Sequence, residues 1–290
     1  MLVFVLYDCM PSDVEEEHVL APHDAFDTTS VEVGYLEVLS AIGAAAAAAG
    51  VRAPRLVAVS KTKPAAAVLA AYACGARHFG ENYVVEIVAK APECPADVKW
   101  HFIGSLQSNK AKQLVAGVPS LWAVESVDTV KLAGLLEKAA AAAGRPPNSD
   151  SPPSAHLLDD DVTTTTVPPS AQPLRVYIQV NTSGEPQKGG VEPGAAAALA
   201  SYIVQSCPHL RLAGLMTIGK LGDVADVYFS RLSAERDAVR VALGPPYDAP
   251  DALELSMGMS ADFQAAIKGG SSSVRVGSAI FGTREPKKHA

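Results

Sequence analysis

The feature that most constrains the fold is an alternation between short apolar runs and helix-like stretches, which continues through residues 31–276. A strand, a helix and another strand in succession predict a parallel sheet, because each helix returns the chain to the starting edge of the sheet. Eight strand-like runs are present, at Leu56–Ser60, Arg77–Phe79, Trp100–Ile103, Leu121–Val124, Arg175–Val180, Leu212–Met216, Leu253–Ser256 and Val274–Val276. Eight such units predict an α/β fold of the closed (β/α)8 TIM-barrel type.

Helix-like stretches separate most of these runs, at Pro64–Tyr72, Tyr83–Lys90, Ser108–Val115, Asp128–Ala143, Pro193–Gln205, Asp226–Leu243 and Ala261–Lys268. A further helix is predicted before the first strand, over Val31–Ala49, with Ser30 as its cap and Gly50 at its end. Its apolar residues at helical spacing are Val33, Leu36, Leu39 and Ile42. Only a short tail follows the last strand, so this N-terminal helix is expected to serve as the eighth outer helix.

Two stretches depart from the alternation. Residues 1–30 are acidic and show no sustained period, so they are predicted to be a poorly ordered leader. Residues 145–173 hold seven of the 21 prolines and no aromatic residue. Such a composition offers too little apolar surface to offset the entropy of ordering. The sequence therefore predicts one barrel domain over residues 31–290, interrupted by a disordered, proline-rich insertion at 145–173.

Composition limits the classes of partner. The formal charge is 24 − 31 = −7, which argues against a broad basic surface for nucleic acid. The four cysteines form no C-x-x-C pair, so no metal site is predicted. No apolar run approaches the roughly 20 residues of a membrane span, and the N-terminus lacks the features of a signal or transit peptide. A monomeric cytoplasmic protein without membrane or nucleic-acid partners is expected, although an organellar location stays open.

Lys61 is the first residue that could carry chemistry. Active sites of barrels lie at the carboxyl ends of the strands, and Lys61 follows the first predicted strand. Partial desolvation would disfavour its ammonium form and make the amine a better nucleophile, as Schiff-base chemistry requires. A solvated lysine at a strand end is an equal alternative, and position alone leaves both open.

The last two strands favour an anion site. They are followed by small residues, in the runs 256–260 and 276–278, which expose backbone N–H groups. Ser260 is in addition a candidate cap for the next helix, and barrels frequently bind phosphate in these two loops. Ordinary turns use the same residue types. Arg275, which alternates with two valines, would supply a fixed cation beneath a ligand if it faces the barrel interior. A reactive lysine opposite a phosphate site suggests pyridoxal 5'-phosphate (PLP).

Several sequence blocks then carry a specific resemblance: VAVSKTKP (57–64), HFGENYV (78–84), WHFIGSLQSNK (100–110), ESVD (125–128), QVNTSGE (179–185), GLMTIG (214–219), ELSMGMSADFQAAI (254–267) and VRVGSAIFGTRE (274–285). In this order they resemble the pyridoxal phosphate homeostasis protein family, single-domain relatives of the alanine racemase barrel. The resemblance runs from about Val31 to Glu285, apart from the insertion. The chain departs from the pattern in its leader, in the insertion and at Pro186-Gln187-Lys188, where the family usually has a Ser-Lys pair.

The resemblance implies roles for single residues. Lys61 matches the lysine that holds PLP as an aldimine, Ser256 and the Gly277–Ser278 turn match phosphate-binding positions, and Arg275 matches the arginine beside the pyridine nitrogen. Further pocket-lining positions are matched by Asn82, His101, Gly104, Asn181 and Met216. For His101 a buried histidine of the barrel wall is the alternative to a general base.

The resemblance favours a PLP-binding protein of intracellular PLP homeostasis that delivers the cofactor to PLP-dependent apo-enzymes and has no robust turnover. An arginine partner supports this choice, because it discourages protonation of the ring nitrogen and weakens the ring as an electron sink. The alternative is a PLP-dependent amino-acid racemase, lyase or decarboxylase with Lys61 as base. A third reading is a cofactor-free Schiff-base aldolase.

Overall fold

A closed barrel of eight parallel strands in chain order forms the centre of the computed structural model, which describes residues 27–148, 167–185, 187–219 and 225–283. The strands are β1 (Arg55–Val59), β2 (His78–Glu81), β3 (Lys99–Phe102), β4 (Leu121–Val127), β5 (Leu174–Gln179), β6 (Leu210–Met216), β7 (Glu254–Ser256) and β8 (Ser273–Val276). Pairing of β1 with β8, in a register that runs from Arg55 opposite Ser273 to Ala58 opposite Val276, closes the barrel. The predicted (β/α)8 fold is confirmed.

Helices surround the barrel in the expected places. They are α1 (Thr28–Ala49), α2 (Ala65–Ala73), α3 (Val84–Lys90), α4 (Ala111–Gly117), α5 (Val130–Ala142), α6 (Ala196–Ser206), α7 (Ala225–Leu243), α8 (Phe263–Lys268) and α9 (Ser278–Phe281). The short α9, directly after β8, was not predicted, because four residues are too few to show a helical period. It forms part of the cavity described below.

Helix α1 differs in detail from the prediction. It begins at Thr28 rather than Val31, and its cap is Asp27, whose carboxylate accepts the backbone N–H groups of Thr29 and Ser30. Its buried residues are Val31, Gly34, Tyr35, Val38, Ile42 and Ala46, whereas Val33, Leu36 and Leu39 of the predicted face are exposed. The helix packs against α2, α8 and α9, so it fills the eighth outer position as predicted.

The same helix corrects one expectation about membrane spans. By length and composition alone, Thr28–Ala49 is long and apolar enough to cross a membrane. The core helix of a soluble protein meets the same criterion. The contacts of α1 with α2, α8 and α9 account for its buried apolar residues, while Val33, Leu36 and Leu39 stay exposed.

The predicted leader and insertion fall largely outside the described residues, which exclude 1–26 and 149–166. The described flanks of the insertion contact the barrel. Arg145 is buried, and its guanidinium donates to the carbonyl oxygens of Leu121, Pro169 and Gln172 at 2.7, 2.8 and 3.3 Å. These contacts fix both ends of the insertion at the amino-terminal edge of the barrel, away from the carboxyl ends of the strands.

Charged side chains occupy part of the barrel interior. At the amino-terminal end of the strands, Arg55 Nη1 lies 2.7 Å from Glu254 Oε2, and both side chains are at most 4% exposed. The hydroxyl of Tyr177 donates to the same carboxylate oxygen at 2.8 Å. Burial is the main reason that the pKa of Tyr177 lies well above its ordinary value, so this hydroxyl keeps its proton and remains a donor.

Candidate functional site

A cavity of about 350 Å³ opens at the carboxyl ends of β1 and β8. This volume lies within the range of small-molecule sites. The lining residues are Val59, Lys61, Thr62, Lys63, Ile103, Met259, Ser260, Ala261, Arg275, Gly277, Ser278, Phe281 and Gly282. Four of the ten residues proposed from the sequence therefore meet at one place: Lys61, Arg275, Gly277 and Ser278.

Lys61 lies two residues beyond the end of β1, on one wall of this cavity. It is half-buried, between the fully buried Ser60 and the exposed Thr62. Thr62 has a φ of 63°, and it is the only non-glycine residue with positive φ in the described ranges. The chain turns sharply at this point, so Lys61 occupies the cavity wall rather than continuing the strand.

Arg275 forms the floor of the cavity and is almost completely buried. Its Nη1 donates to Ser256 Oγ and its Nη2 donates to the carbonyl oxygen of Thr217, both at 2.7 Å. Glu125 Oε2 lies 4.0 Å from Arg275 Nη1 and accepts the Ser256 hydroxyl at 2.5 Å. Burial lowers the pKa of Arg275, and the charge of Glu125 acts in the opposite direction.

Two histidines extend this interior network. Glu125 Oε1 lies 2.6 Å from Nδ1 of His101, and Nε2 of His101 lies 2.8 Å from Nδ1 of His78. Burial alone would raise the pKa of Glu125, but the hydrogen bond and charge of His101, followed by the charge of Arg275, hold that pKa below its ordinary value. Glu125 is therefore an ionised partner that keeps a positive charge at the cavity floor.

The opposite part of the cavity suits an anion. Gly277 donates its N–H to Ser260 Oγ at 3.4 Å, and its carbonyl oxygen accepts the N–H groups of Ile280 and Phe281. The N–H groups of Ser278 and Ala279, at the start of α9, have no partner within this helix. A β-carbon at Gly277 would lie 3.2 Å from the carbonyl oxygen of Val59, so glycine keeps this turn close to β1. An amine, a guanidinium and a turn with exposed amides fit a small molecule that carries an aldehyde and a phosphate.

Comparison with known proteins decides the family. The family model described as alanine racemase, N-terminal domain, matches residues 41–285. The pyridoxal phosphate homeostasis protein of Bos taurus is 43% identical over 245 residues, which cover 81% of this chain and 79% of the relative. That of Schizosaccharomyces pombe is 44% identical over 237 residues, covering 80% and 85%. The chain belongs to the pyridoxal phosphate homeostasis protein family.

A solved structure of PipY from Synechococcus elongatus, with PLP bound, resembles this family member in fold. Its TM-score is 0.64 at 30% sequence identity, and the match covers 87% of this chain and all of that one. Alanine racemase from Corynebacterium glutamicum shares the fold at a TM-score of 0.58 and 15% identity, over 91% of this chain and 63% of that one. Together with the family model over residues 41–285, this confirms the expected relation to the alanine racemase barrel.

The other residues proposed from the sequence do not line the cavity of this homeostasis-family chain. Ser256 lies outside the cavity lining, with its hydroxyl engaged by Arg275 and Glu125, and its role in phosphate binding stays a prediction. His101 is a fully buried histidine of the barrel interior, as the alternative reading had it. Met216 is buried with Trp122 and Tyr177 in a second apolar cluster.

Asn82, Gly104 and Asn181 have local structural contacts. An ideal β-carbon on Gly104 would lie 2.1 Å from the carbonyl oxygen of Asn82, so the loops after β2 and β3 pass in direct backbone contact. Asn181 Nδ2 donates to the carbonyl oxygen of Glu185 at 3.2 Å and Asn181 Oδ1 accepts from Ser183. Lys188 lies outside the cavity lining, with its ammonium on Glu185 Oε2 and on the carbonyl oxygen of Gly219.

Several lining residues were not proposed as site residues. Lys63 donates to the carbonyl oxygen of Thr283 at 3.2 Å, and Met259 lies on the cavity wall. Ser260 does not cap α8, because the N-cap residue of that helix is Asp262, which makes no side-chain capping bond. Ser260 Oγ accepts the N–H of Gly277 instead. Lys63 and Ser260 lie in two of the motifs that carry the family resemblance, and this membership is the sequence signal that could have identified them.

The contact between the two loops gives a test of the geometry. Gly104→Ala should lower the free energy of unfolding by about 2 kcal/mol, because a backbone carbonyl must move to admit the methyl group. Gly43→Ala is the matched control: it lies in α1 with nothing within 4 Å, and should raise stability by about 0.5–1 kcal/mol. Urea titration of both variants measures the difference, and equal stability of Gly104→Ala and wild type would contradict the close approach.

Proposed function

We propose that this protein binds PLP at the carboxyl ends of β1 and β8, as a Schiff base on Lys61, and that it acts in cellular PLP homeostasis. The observation that carries the proposal is the convergence of Lys61, Arg275 and the Gly277–Ser278 turn on one cavity. The names of the relatives and the PLP-bound structure of PipY support it. PLP supplies an aldehyde that condenses reversibly with amines, together with a phosphate and a ring nitrogen.

Each end of the cavity has a separate task in this proposal. Lys61 provides the amine, and the amides at the start of α9 with the hydroxyl of Ser278 receive the phosphate. Arg275, held by Ser256 and Thr217, presents a permanent cation to the ring. A guanidinium keeps its proton, so it disfavours a second positive charge on the ring nitrogen and thereby weakens carbanion chemistry. This supports retention and delivery of PLP rather than amino-acid turnover.

We further propose that PLP-dependent apo-enzymes receive the cofactor and that the protein is a cytoplasmic monomer. Transfer is testable by mixing the loaded protein with an apo-enzyme behind an excess of a PLP-trapping amine. Direct delivery predicts activation of the apo-enzyme that the trap does not suppress, whereas release into solution predicts suppression.

The first experiment is the visible absorption spectrum of the purified protein with added PLP, before and after borohydride, with peptide mapping of the reduced lysine. We expect a band that borohydride bleaches and a label on Lys61. A label on another lysine would refute the assigned residue, and no band at all would refute PLP binding as a Schiff base.

Exchange of the α-proton of amino acids, measured in wild type and Lys61→Ala, tests the enzymatic alternative. Exchange that depends on Lys61 would favour that alternative.

A further inference from the structure

A buried cluster of three ionisable side chains lies directly behind the Lys61 turn. Lys90 is completely buried, and its Nζ lies 2.8 Å from Glu81 Oε1 and 2.9 Å from Glu86 Oε2. Glu81 ends β2, while Glu86 and Lys90 are one turn apart on α3. The three residues are called the Lys90 cluster below.

The Lys90 cluster holds the backbone on both sides of Lys61. On the preceding residue, Lys90 Nζ donates to the carbonyl oxygen of Ser60 at 3.0 Å, and Ser60 Oγ donates to Glu81 Oε1 at 2.6 Å. On the following residue, the N–H of Thr62 donates to Glu86 Oε2 at 2.7 Å. Two of these hydrogen bonds therefore hold the two peptides that flank Lys61, and the third holds the side chain of Ser60.

The backbone at Thr62 shows why such support is needed. A φ of 63° at a β-branched residue is unfavourable, and it persists only where the surroundings impose it. The bond from the Thr62 N–H to Glu86 is available in this conformation. Without it, the turn is free to relax toward an ordinary backbone conformation, and Lys61 would then leave its place on the cavity wall.

The composition of the cluster also argues for a positioning role. A fully buried lysine is rare, because removing an ammonium from water is costly even when it is paired. Apolar residues of similar volume often give equal or greater stability at such positions. Glu81 Oε2 has no hydrogen-bond partner among the residues that the structure describes, so the cluster is not optimised for stability alone. What apolar residues could not supply are the directed hydrogen bonds to Ser60 and Thr62.

We infer that Lys90, Glu81 and Glu86 are positioning residues that aim the amine of Lys61 into the cavity. The inference rests on the proposed function, since it concerns the reactivity of Lys61 toward the PLP aldehyde. We expect substitutions of the three residues to change Schiff-base formation but not noncovalent binding in the cavity, because none of the three lines the cavity.

The test compares Lys90→Met with Arg55→Met. Both substitutions remove the cation of a buried ion pair, but Arg55 pairs with Glu254 at the other end of the barrel. In Lys90→Met, the rate constant of Schiff-base formation with PLP should fall at least tenfold. Affinity for pyridoxine 5'-phosphate, which lacks the aldehyde, should stay within about twofold of wild type. Arg55→Met should leave both quantities near wild type even where it lowers the melting temperature.

A second readout needs no cofactor. The labelling rate of Lys61 by acetic anhydride in PLP-free protein, mapped by mass spectrometry, should change at least threefold in Lys90→Met. The exposed Lys131 serves as the internal reference and should not change. Equal effects of Lys90→Met and Arg55→Met on both readouts, or wild-type rates in Lys90→Met, would overturn the inference.

A variant pair at Glu86 keeps the inference testable if Lys90→Met does not fold. Glu86→Gln retains a carbonyl acceptor for the Thr62 N–H, so it should keep at least a third of the wild-type rate of Schiff-base formation. Glu86→Leu removes the acceptor at similar volume, so its rate of Schiff-base formation should fall at least tenfold. Equal rates in the two variants would contradict the role of this bond.

Absence of a Schiff base in wild type would refute the proposed function, and with it the inference. A Schiff base in wild type and in every variant at equal rates would refute the inference alone.

Discussion

Replacement of Lys61 by alanine should abolish the visible band and the borohydride-stable label, while phosphate-dependent binding of PLP remains. The amine is the only group in the proposal that forms a bond with the aldehyde. The Gly277–Ser278 turn and Arg275 belong to β8 and the residues after it, so they do not depend on the Lys61 side chain. In Lys61→Ala we expect borohydride-stable labelling below the detection limit of peptide mapping, whereas labelling in wild type should be near complete. Competition by inorganic phosphate measures the binding that remains.

Lys63→Ala is the matched control, because Lys63 is a second lysine on the same cavity wall. Its ammonium is held by the carbonyl oxygen of Thr283, so we expect the label to stay on Lys61 in this variant. A label that persists in Lys61→Ala and disappears in Lys63→Ala would show that Lys63, and not Lys61, forms the Schiff base.

Arg275→Ala should lower the free energy of unfolding by about 3–5 kcal/mol, because it removes the buried cation facing Glu125. The side chains of Arg275 and Glu125 are 4% and 0% exposed, so solvent screens this interaction very little. The carbonyl oxygen of Thr217 and the hydroxyl of Ser256 would lose a donor as well. In the loaded protein, the absorption maximum should shift, since the charge next to the ring changes. Urea titration and the visible spectrum measure the two effects.

Arg275→Lys separates charge from geometry. It keeps a cation above Glu125 but cannot reproduce the forked donation to Ser256 and Thr217, so a smaller loss of about 1–2 kcal/mol is expected. Wild-type stability and an unchanged spectrum in Arg275→Ala would show that the interior network does not depend on Arg275. That result would remove Arg275 from the cavity floor in the proposal.

The barrel was predictable because its signal is repeated eight times, and an error in one strand does not change the count. The details of α1 were not, because an alanine-rich helix has apolar residues on several faces and the contacts with α8 and α9 select the buried one. Val33, Leu36 and Leu39 fit the helical period as well as Val31 and Val38 do, yet only the latter two are buried. The spacing of apolar residues alone does not show which face of the helix packs against the neighbouring helices.

The candidate site was predictable where function follows from position at a strand end, as for Lys61 and the Gly277–Ser278 turn. It was not predictable where a residue acts from beneath the cavity. Ser256 and Arg275 both belong to motifs, but only the three-dimensional structure shows that a hydrogen bond joins their side chains. The Lys90 cluster likewise depends on three-dimensional contacts between β2, α3 and the Lys61 turn, and a lysine within a short helix gave no sign of complete burial.

The pairing of β1 with β8 has a consequence for biosynthesis. The ribosome makes Lys61, which follows β1, long before it makes the floor and the phosphate end of the cavity, which lie in β8 and just after it. The hydrogen bond from Lys63 to Thr283 joins residues 220 positions apart, so the two walls can meet only after residue 283 has emerged. Contacts of such long sequence separation form slowly. A nascent chain that stops before β8 therefore has the amine without the floor and the phosphate end, and the complete cavity forms only after β8 pairs with β1.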